Sequence, residues 1–519
     1  MINKLLDKLN WFFLLIILVI TFLLSSRMIL KGDFFFLADQ GRDYLLTKSI
    51  IVDHKLTLIG THSGLGGFFH GPLWLYTLIP VFLIGRGNPI YFAYFYIFLA
   101  LITVVVSYFV GKKLYGEKIA LVFALIVGLS PVIWKNVPIT IGVNAMPLLY
   151  VLLLYFVIKY LRGSSYSFIL VAFLTGLSFQ FETASAIALV PVIIATFFIN
   201  FKNIKNVKLI FYSILSFTAS MITFILFDLR HQFLMTKALL SVFYNKTHEK
   251  GYLPMPQRLI DHLSSLQGVY KGIFIEHINW FSVFLMIGFT TVFIYIAWNY
   301  FKNRTMPKYF KEFVYLLIFP VANFIIYVFY AYTIWPEYVL GLMIPVALSL
   351  TLALFFFAHK KLGLLFVSLF VIIYLYFSFT KILNSYFTPF IYNQTAGSYI
   401  NQERVVNWIF ADARGNKFGY FVYSPDTFTY GMDYLFWWQG KKHGYFPVSE
   451  KLQTTYLVMY PPIANDLGAH NFWKKNVIKT SGRVIMKKKF IGDITVEKLS
   501  ITGSEPSVDP NYYQDLIFR

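Results

Sequence analysis

The chain has 519 residues, of which 58% are hydrophobic, 20% are aromatic and only 13% are charged. Soluble globular domains are about half apolar and about a quarter charged, so this composition excludes an ordinary cytoplasmic enzyme. In a soluble protein, the formal net charge of +21 would suggest a nucleic-acid partner. Repeated apolar runs of about 20 residues instead predict a polytopic membrane protein.

The excess of positive charge lies mostly in short clusters between the apolar runs. These clusters are Lys112–Lys113, Lys159–Arg162, Lys202–Lys208, Lys302–Lys311 and Lys360–Lys361. Short basic loops are typical of the cytoplasmic face of a membrane protein, so no nucleic-acid partner is needed to explain them. The chain contains no cysteine, which excludes disulfide bonds and thiolate zinc sites.

The first apolar run, Trp11–Leu30, follows two basic residues, Lys4 and Lys8. Because no small-residue cleavage site follows this run, we expect a retained first helix rather than a signal peptide. The polar segment Lys31–Gly71 comes next. The stretch after it, Pro72–Ile84, has about 13 residues and is typical of a re-entrant or interfacial segment rather than a full span.

Ten further apolar runs surround a second polar segment, Asp228–Asn279. The predicted spans lie at about 89–110, 118–135, 144–161, 166–181, 184–201, 208–227, 280–300, 312–332, 337–358 and 362–380. If the amino terminus is inside and Pro72–Ile84 does not cross, all five basic clusters fall inside and both polar segments fall outside. We therefore prefer eleven crossings plus one short segment, and a tilted full crossing of Pro72–Ile84 stays open.

Hydropathy falls beyond Lys381, where polar residues become common. This part of the chain contains four short β-like stretches, Lys417–Tyr423, Tyr456–Tyr460, Val484–Phe490 and Ile494–Leu499. The predicted fold class is an all-α polytopic membrane bundle of about 11–12 transmembrane helices over residues 1–380. A small α+β extramembrane domain is predicted to follow over residues 381–519, on the outer side.

The first polar segment concentrates the scarce acids of this chain. It contains four aspartates and three histidines, namely Asp33, Asp39, Asp43, Asp53, His54, His62 and His70. A solvated loop is the plain alternative, but two features favour a site. Asp39 and Asp43 lie beside hydrophobic Phe34–Ala38 and next to Arg42, where burial and charge tune a carboxylate. The segment then continues through a glycine-rich turn, Gly60–Gly67, and glycines let the backbone approach a ligand closely.

These motifs carry a family resemblance. Asp39-Gln-Gly-Arg-Asp43, the glycine-rich turn and His70-Gly-Pro-Leu occur in the order found in the GT-C glycosyltransferases. The chain resembles in particular the bacterial relatives of protein O-mannosyltransferases and of lipid A aminoarabinose transferases. Phe227-Asp-Leu-Arg-His231 is similar to the start of the second outer loop of that family. The resemblance covers about residues 1–380.

The resemblance implies a membrane glycosyltransferase, and we expect it in the inner cell membrane. Its donor would be a polyprenyl-phosphate-linked sugar, and a protein, lipid or glycan acceptor would approach from the outer face. Asp39 matches the family acid, which would deprotonate the acceptor hydroxyl during an inverting single displacement. A helix-capping or solvated aspartate is the alternative for this residue. Asp43 is the second candidate base, because one helical turn separates it from Asp39 and places both on one face.

The departing phosphate carries negative charge that must be stabilised. Arg42 and His70 are the main candidates, and Arg230 and His231 are candidates from the second outer loop. His70 stands where relatives often carry lysine, and a neutral imidazole still donates one hydrogen bond. The alternative for Arg42 is an ion pair with the aspartates. For Arg230 and His231, we prefer snorkelling at the membrane interface.

Three polar residues at predicted outer helix ends, Asn144, Glu182 and Glu337, are weaker candidates for the substrate pocket. The preferred alternative is that they lie in the wet interface. The histidines of the outer loops show no ligand spacing of the H-x-x-x-H kind, so we expect no essential metal or other cofactor. A divalent cation stays open, because some relatives use one.

Two rival functions remain. A transporter or lipid flippase would also have many helices, but it would carry its polar residues at mid-membrane rather than in outer loops. The other rival is a GT-C scaffold without activity, whose carboxy-terminal tail binds a component of the cell envelope.

Overall fold

The computed structural model describes residues 2–63, 68–200, 205–244, 253–273, 308–330, 332–357, 361–387, 394–463, 466 and 468–512. The membrane part of these residues is helical. Its helices are α1 Ile2–Ser26, α2 Ala38–Val52, α3 Leu73–Gly85, α4 Pro89–Tyr115, α5 Glu117–Leu129, α6 Pro131–Asn136, α7 Met146–Leu161, α8 Ser167–Phe179, α9 Thr183–Ile199, α10 Val207–Ser220, α11 Ile222–Arg230, α12 Leu234–Tyr244, α13 Met255–Ile273, α14 Phe310–Val328, α15 Met343–Phe357 and α16 Lys361–Phe387. The predicted run at 280–300 lies outside the described residues.

Within the described residues, seven helical stretches are long and apolar enough to cross a membrane. They are Lys8–Ser26, Pro89–Tyr115, Glu117–Asn136, Gly142–Leu161, Phe310–Val328, Pro336–Phe356 and Gly363–Asn384. An eighth span would come from α10 and α11, which meet at a bend of 65°. Helices α3, α8 and α9 are apolar but shorter, with 13, 13 and 17 residues. The chain is therefore a multi-pass membrane protein.

The bundle has a protein-facing centre and a lipid-facing rim. Glu117–Asn136 and Pro336–Phe356 are mostly buried inside the protein, whereas only 33% of the Lys8–Ser26 window and 24% of the Gly363–Asn384 window are buried. All four stretches are strongly apolar. This composition suits a helix that faces other helices as well as one that faces hydrocarbon. Composition alone does not separate these two situations.

The carboxy-terminal tail forms a small α+β domain, so the predicted fold class is confirmed. Its helices are α17 Tyr399–Ala413, α18 Tyr430–His443 and α19 Ala469–Phe472, and its strands are β1 Gly419–Tyr423, β2 Thr454–Met459, β3 Arg483–Lys489 and β4 Thr495–Ser500. The strand order is β1-β2-β4-β3, with β1 and β2 parallel and the other two pairs antiparallel. Each strand coincides with one of the four predicted β-like stretches.

This domain packs directly on the first polar segment and shares one hydrophobic core with the bundle. The ring of Phe34 stacks on Tyr399 with centroids 4.8 Å apart, and Tyr434 donates to the carbonyl oxygen of Gly87 at 2.7 Å. The last helix of the bundle, α16, continues past residue 381 to Phe387 before the tail domain begins. The tail is thus fixed over the loop that carries the candidate acids.

Candidate active site

A cavity of about 480 Å³ opens beside the amino-terminal end of α2. Its walls come from α2, the loop before α3, the turn at 142–143, the end of α8 and the segment 335–338. Six of the predicted site residues line it, namely Asp39, Arg42, Asp43, His70, Glu182 and Glu337. Residues from widely separated parts of the sequence therefore meet at one place.

Helix α2 presents three of these side chains. The helix begins at Ala38, where the side-chain oxygen of Gln40 accepts a hydrogen bond from the Leu37 N–H at 2.8 Å. This bond satisfies one of the free backbone donors of the first turn. Asp39 thus does not cap the helix, and its side chain faces the cavity together with those of Arg42 and Asp43. The spacing of three and four residues places all three on one face, which for Asp39 and Asp43 was predicted.

The guanidinium of Arg42 lies between two carboxylates. Its Nη1 is 2.7 Å from Asp39, and its Nε and Nη2 donate to one oxygen of Asp43 at 3.2 and 3.1 Å. The two partners differ in environment, because the Asp39 side chain is 61% exposed and that of Asp43 is 3% exposed. Arg42 thus forms the ion pairs that were its predicted alternative, and it still lines the cavity.

Asp43 is held in a dry environment. Its second oxygen accepts a hydrogen bond from the indole N–H of Trp74 at 3.3 Å. Burial raises the pKa of Asp43 to about 6, although the charge of Arg42 acts in the opposite direction. Asp43 therefore orients Arg42, whereas the exposed carboxylate of Asp39 is accessible to a substrate.

His70 is a neutral hydrogen-bond donor in this site. Burial and, to a lesser extent, the nearby charge of Arg42 lower its pKa to about 3. Its Nδ1 accepts a hydrogen bond from the backbone N–H of Thr183 at 3.2 Å, which places the proton of the neutral ring on Nε2. Glu182 lies 4.0 Å from Nδ1, but this separation is no salt bridge because the imidazole is uncharged.

Glu182 joins the cavity from the residue just before α9. Its side chain accepts from the Ala184 N–H at 3.2 Å and caps the helix. Burial raises the pKa of Glu182 to about 8, and the neighbouring charge of Glu337 contributes in the same direction. Because this value lies above neutral pH, Glu182 is mostly protonated at pH 7 and presents a hydroxyl donor to the cavity.

The glycine-rich loop positions His70 through close backbone contacts. The Gly60 N–H donates to the carbonyl oxygen of His70 at 2.8 Å, and the His70 N–H donates to that of Thr61 at 2.8 Å. A Cβ on Gly71 would lie 2.0 Å from the side-chain oxygen of Gln180, so only glycine fits there. Residues 64–67 of the predicted turn lie outside the described part of the chain.

The remaining predicted residues lie elsewhere. Asn144 holds the adjoining turn, because its side-chain N–H₂ group donates to the carbonyl oxygens of Asn136 at 2.9 Å and Ile139 at 2.6 Å. Arg230 is exposed at the end of α11, and the ring of His231 packs on Phe227 with centroids 4.2 Å apart. Among the described residues that line the cavity, none of these three predicted residues is present.

Several aromatic residues at the site were not predicted. Trp74 and Trp335 line the cavity, and Tyr430 of the tail domain lies close enough to Arg42 for the two to interact electrostatically. Trp74 follows the His70-Gly-Pro-Leu motif directly, so the motif itself was a signal for it. Tyr430 had no comparable signal, because only the packing of the tail brings it to α2.

The cavity residues do not match a divalent-cation site. The carboxylates of Asp39 and Asp43 share the guanidinium of Arg42, whose charge opposes a cation at the same oxygens. Over the described parts of the chain, no group of three or more metal-ligating side chains is present. The expectation of no essential metal stays a prediction.

Comparison with known proteins gives similarity in structure alone. No protein-family model matches the sequence, and no curated protein sequence matches it. Among solved structures, ArnT from Cupriavidus metallidurans bound to undecaprenyl phosphate has a TM-score of 0.58 at 12% identity, over 94% of this chain and 97% of that one. Its apo form gives 0.59 at 11% identity, over 95% and 98%.

A second similar structure is the oligosaccharyltransferase AglB from Archaeoglobus fulgidus, in complex with an inhibitory peptide and a dolichol-phosphate. Its TM-score is 0.52 at 10% identity, over 87% of this chain and 69% of that one. Both proteins are GT-C membrane glycosyltransferases. At these identities the comparison establishes architecture, and it confirms the predicted resemblance: the chain has the GT-C fold.

Proposed function

We propose that this protein is a glycosyltransferase that uses a polyprenyl-phosphate-linked sugar and acts at the outer membrane face. The observation that carries the proposal is the convergence of Asp39, Arg42 and His70 in one cavity of a GT-C fold. Two proteins of similar structure were solved with undecaprenyl phosphate or a dolichol-phosphate, which supports a donor of the same class. The proposed location is the inner cell membrane, with the amino terminus in the cytoplasm and the tail domain outside.

In the proposed reaction, the Asp39 carboxylate takes the proton of an acceptor hydroxyl. The acceptor oxygen then forms a bond to the anomeric carbon, and the bond from that carbon to the phosphate oxygen breaks. Sugar configuration inverts in this single displacement, and the polyprenyl phosphate leaves with the electron pair. Asp39 suits the role of base because it is the exposed carboxylate of the pair and lines the cavity.

Arg42 and His70 would stabilise the departing phosphate. Arg42 contributes a permanent positive charge that Asp43 holds in place, and His70 contributes a neutral N–H at Nε2. The protonated carboxyl of Glu182 would donate to a hydroxyl or phosphate oxygen of the donor. The negative charge that develops on the departing phosphate would thus face the Arg42 cation and the two neutral donors His70 and Glu182, in a partly buried site.

The test is Asp39→Asn in the purified full-length protein, with radiolabelled sugar released from a polyprenyl-phosphate donor into an envelope extract. We expect transfer to fall by at least ~100-fold, because general-base catalysis contributes about 10²–10⁴-fold. Donor-lipid binding and thermal stability should stay near those of the wild type, because Asp43 still holds Arg42.

Asp53→Asn is the matched control, since Asp53 is a partly exposed carboxylate that pairs with Lys48 at the other end of α2. Its transfer rate should equal that of the wild type. Unchanged turnover in Asp39→Asn would contradict the proposed base. Movement of labelled lipid across the membrane without any glycosyl product would favour the transporter instead.

A further inference from the structure

A second cavity, of about 260 Å³, lies between the first polar segment and the tail domain. We call it the interdomain cleft; Leu37 and Ala38 line it from one side, and the β1–α18 loop with Asp426 and Phe428 lines it from the other. Leu37 also lines the active-site cavity, and Asp39 lies two residues further along. The two spaces therefore adjoin at the first turn of α2, beside the proposed base.

The lining of the interdomain cleft combines aromatic rings with hydrogen-bond acceptors. Phe428 and Tyr460 contribute the rings, and Phe428 is 45% exposed. Asp426 contributes a carboxylate, whose Oδ1 accepts from the hydroxyl of Ser424 and from the Phe428 N–H. Convergent polar groups in an apolar concave surface are typical of sites for small ligands.

Gln402 lines the interdomain cleft, and its side-chain amide is held in a fixed orientation. Its Nε2 donates to the carbonyl oxygens of Phe36 at 2.6 Å and Ala396 at 2.9 Å, which fixes the orientation of the amide. Its Oε1 is buried and accepts no hydrogen bond from the described residues. Because this oxygen has no exposed surface, it is out of reach of a ligand, and Gln402 serves to hold the backbone of Phe36 and Ala396 in place.

The charges of the lining select against anionic ligands. Of the described residues that line the interdomain cleft, none is a lysine, arginine or histidine, and Asp426 is acidic. A phosphate or carboxylate group would therefore meet no positive partner there. The exposed carboxylate of Asp426 favours a neutral ligand with O–H donors, and the exposed Phe428 ring offers a flat apolar surface.

We infer that the interdomain cleft binds a neutral sugar unit of the acceptor, so that the acceptor of the proposed transfer is a neutral glycan. This inference rests on the proposed function for its link to Asp39. The volume is slightly below the ~300 Å³ typical of the smallest ligand pockets, which suits one compact ring rather than an extended chain. The ring of Phe428 stacks on Tyr430 at 5.6 Å between centroids, and Tyr430 lies near Arg42, so the occupant would sit next to the reacting groups.

The test measures binding without turnover. Saturation-transfer NMR on the full chain in lipid nanodiscs would use neutral trisaccharides of glucose, galactose and mannose, a trisaccharide containing uronic acid, and a Ser/Thr-rich hexapeptide. We expect at least one neutral trisaccharide to bind, and Phe428→Ala to weaken it by about three- to tenfold. Phe428→Tyr should retain binding, because it keeps the ring.

Phe472→Ala is the matched control, because Phe472 is an exposed ring of the same domain that does not line the described part of the interdomain cleft. Its affinity should equal that of the wild type. Absence of binding by every neutral trisaccharide, or binding that Phe428→Ala leaves unchanged, would overturn the inference. Exclusive binding of the hexapeptide or of the acidic trisaccharide would overturn it as well.

Asp39→Asn separates this inference from the proposed function. The variant should bind the neutral trisaccharide like the wild type while it fails to transfer sugar. If the wild type binds the trisaccharide at Phe428 yet transfers no sugar from any polyprenyl-phosphate donor, the proposed function fails and the glycan site stands.

Discussion

At the scale of single residues, the site depends on two carboxylates with different surroundings. Asp39 and Asp43 lie on one face of α2 and share Arg42, but only Asp43 is buried. Burial gives Asp43 a pKa of about 6, so its ionisation falls within the range of ordinary assays. The ion pair between Asp43 and Arg42 is therefore sensitive to pH. A reaction that needs the Arg42 guanidinium in place should therefore slow down as Asp43 becomes protonated.

We expect the rate of sugar transfer to fall as the pH decreases through about 6. Above this value Asp43 is ionised and holds Arg42; below it the carboxyl is protonated, and the ion pair with Arg42 is lost. A pH–rate profile of transfer checks this expectation. Asp43→Asn should be slower at every pH and should lack the decrease near pH 6. An unchanged acidic limb in that variant would assign the titration to another group.

At the scale of elements, the position of α2 depends on its close approach to α18. A Cβ placed on Gly41 would lie 2.3 Å from the backbone nitrogen of Gly431, a contact that side-chain motion does not relieve. The two helices therefore meet backbone to backbone at this point. Arg42 follows Gly41 directly, and Tyr430 precedes Gly431, so the same contact brings Tyr430 to the ion pair.

Gly41→Ala should lower the free energy of unfolding by about 1–3 kcal/mol, because the added methyl group forces α2 and α18 apart. It should also lower transfer, since Arg42 moves with the helix. Thermal unfolding in detergent and the transfer assay measure both effects. Gly268→Ala is the control: this glycine lies inside α13 with nothing within 4 Å of a new Cβ. Alanine there should be neutral or slightly stabilising, and equal stabilities of the two variants would contradict the tight contact.

At the scale of the whole molecule, the tail domain is attached to the bundle through Asp33. This carboxylate is almost fully buried and accepts from the hydroxyl of Ser398 at 2.9 Å, from the Ile400 N–H at 3.3 Å and from the Phe34 N–H at 2.9 Å. These bonds join the first polar segment to the start of the tail. The interdomain cleft lies beside this junction.

Asp33→Ala should therefore destabilise the junction by at least ~2 kcal/mol, because it leaves buried donors without an acceptor. Limited proteolysis should release a fragment of the tail faster than in the wild type. Asp53→Ala, which removes a partly exposed partner of Lys48, should cost no more than about 1 kcal/mol. Equal proteolysis rates for the two variants would show that Asp33 does not hold the tail.

Part of the site could be predicted because its signal is local. Asp39, Arg42 and Asp43 lie within five residues, so helical spacing alone places them together. His70 belongs to a motif that the family resemblance identifies. Glu182 and Glu337 were weaker predictions, and the structure brings both to the cavity. The aromatic residues of the tail were beyond prediction, because their contacts with α2 span about 390 positions of sequence.

The sequence by itself determined the class of the protein and the alternation of its elements. Apolar runs of about 20 residues specify helices in a bilayer, because every backbone polar group must be satisfied within the helix. The four strands of the tail were predicted from short β-like stretches between polar segments. The scarcity of charge also made the acids of the first polar segment stand out.

Only the tertiary structure decided which carboxylate is accessible and where the interdomain cleft lies. Asp39 and Asp43 have the same side chain, and burial against Trp74 rather than residue type makes them different. The interdomain cleft likewise belongs to neither part of the chain alone. The burial of Asp43 and the interdomain cleft both depend on contacts between residues that are far apart in the sequence. A local sequence pattern does not connect such residues.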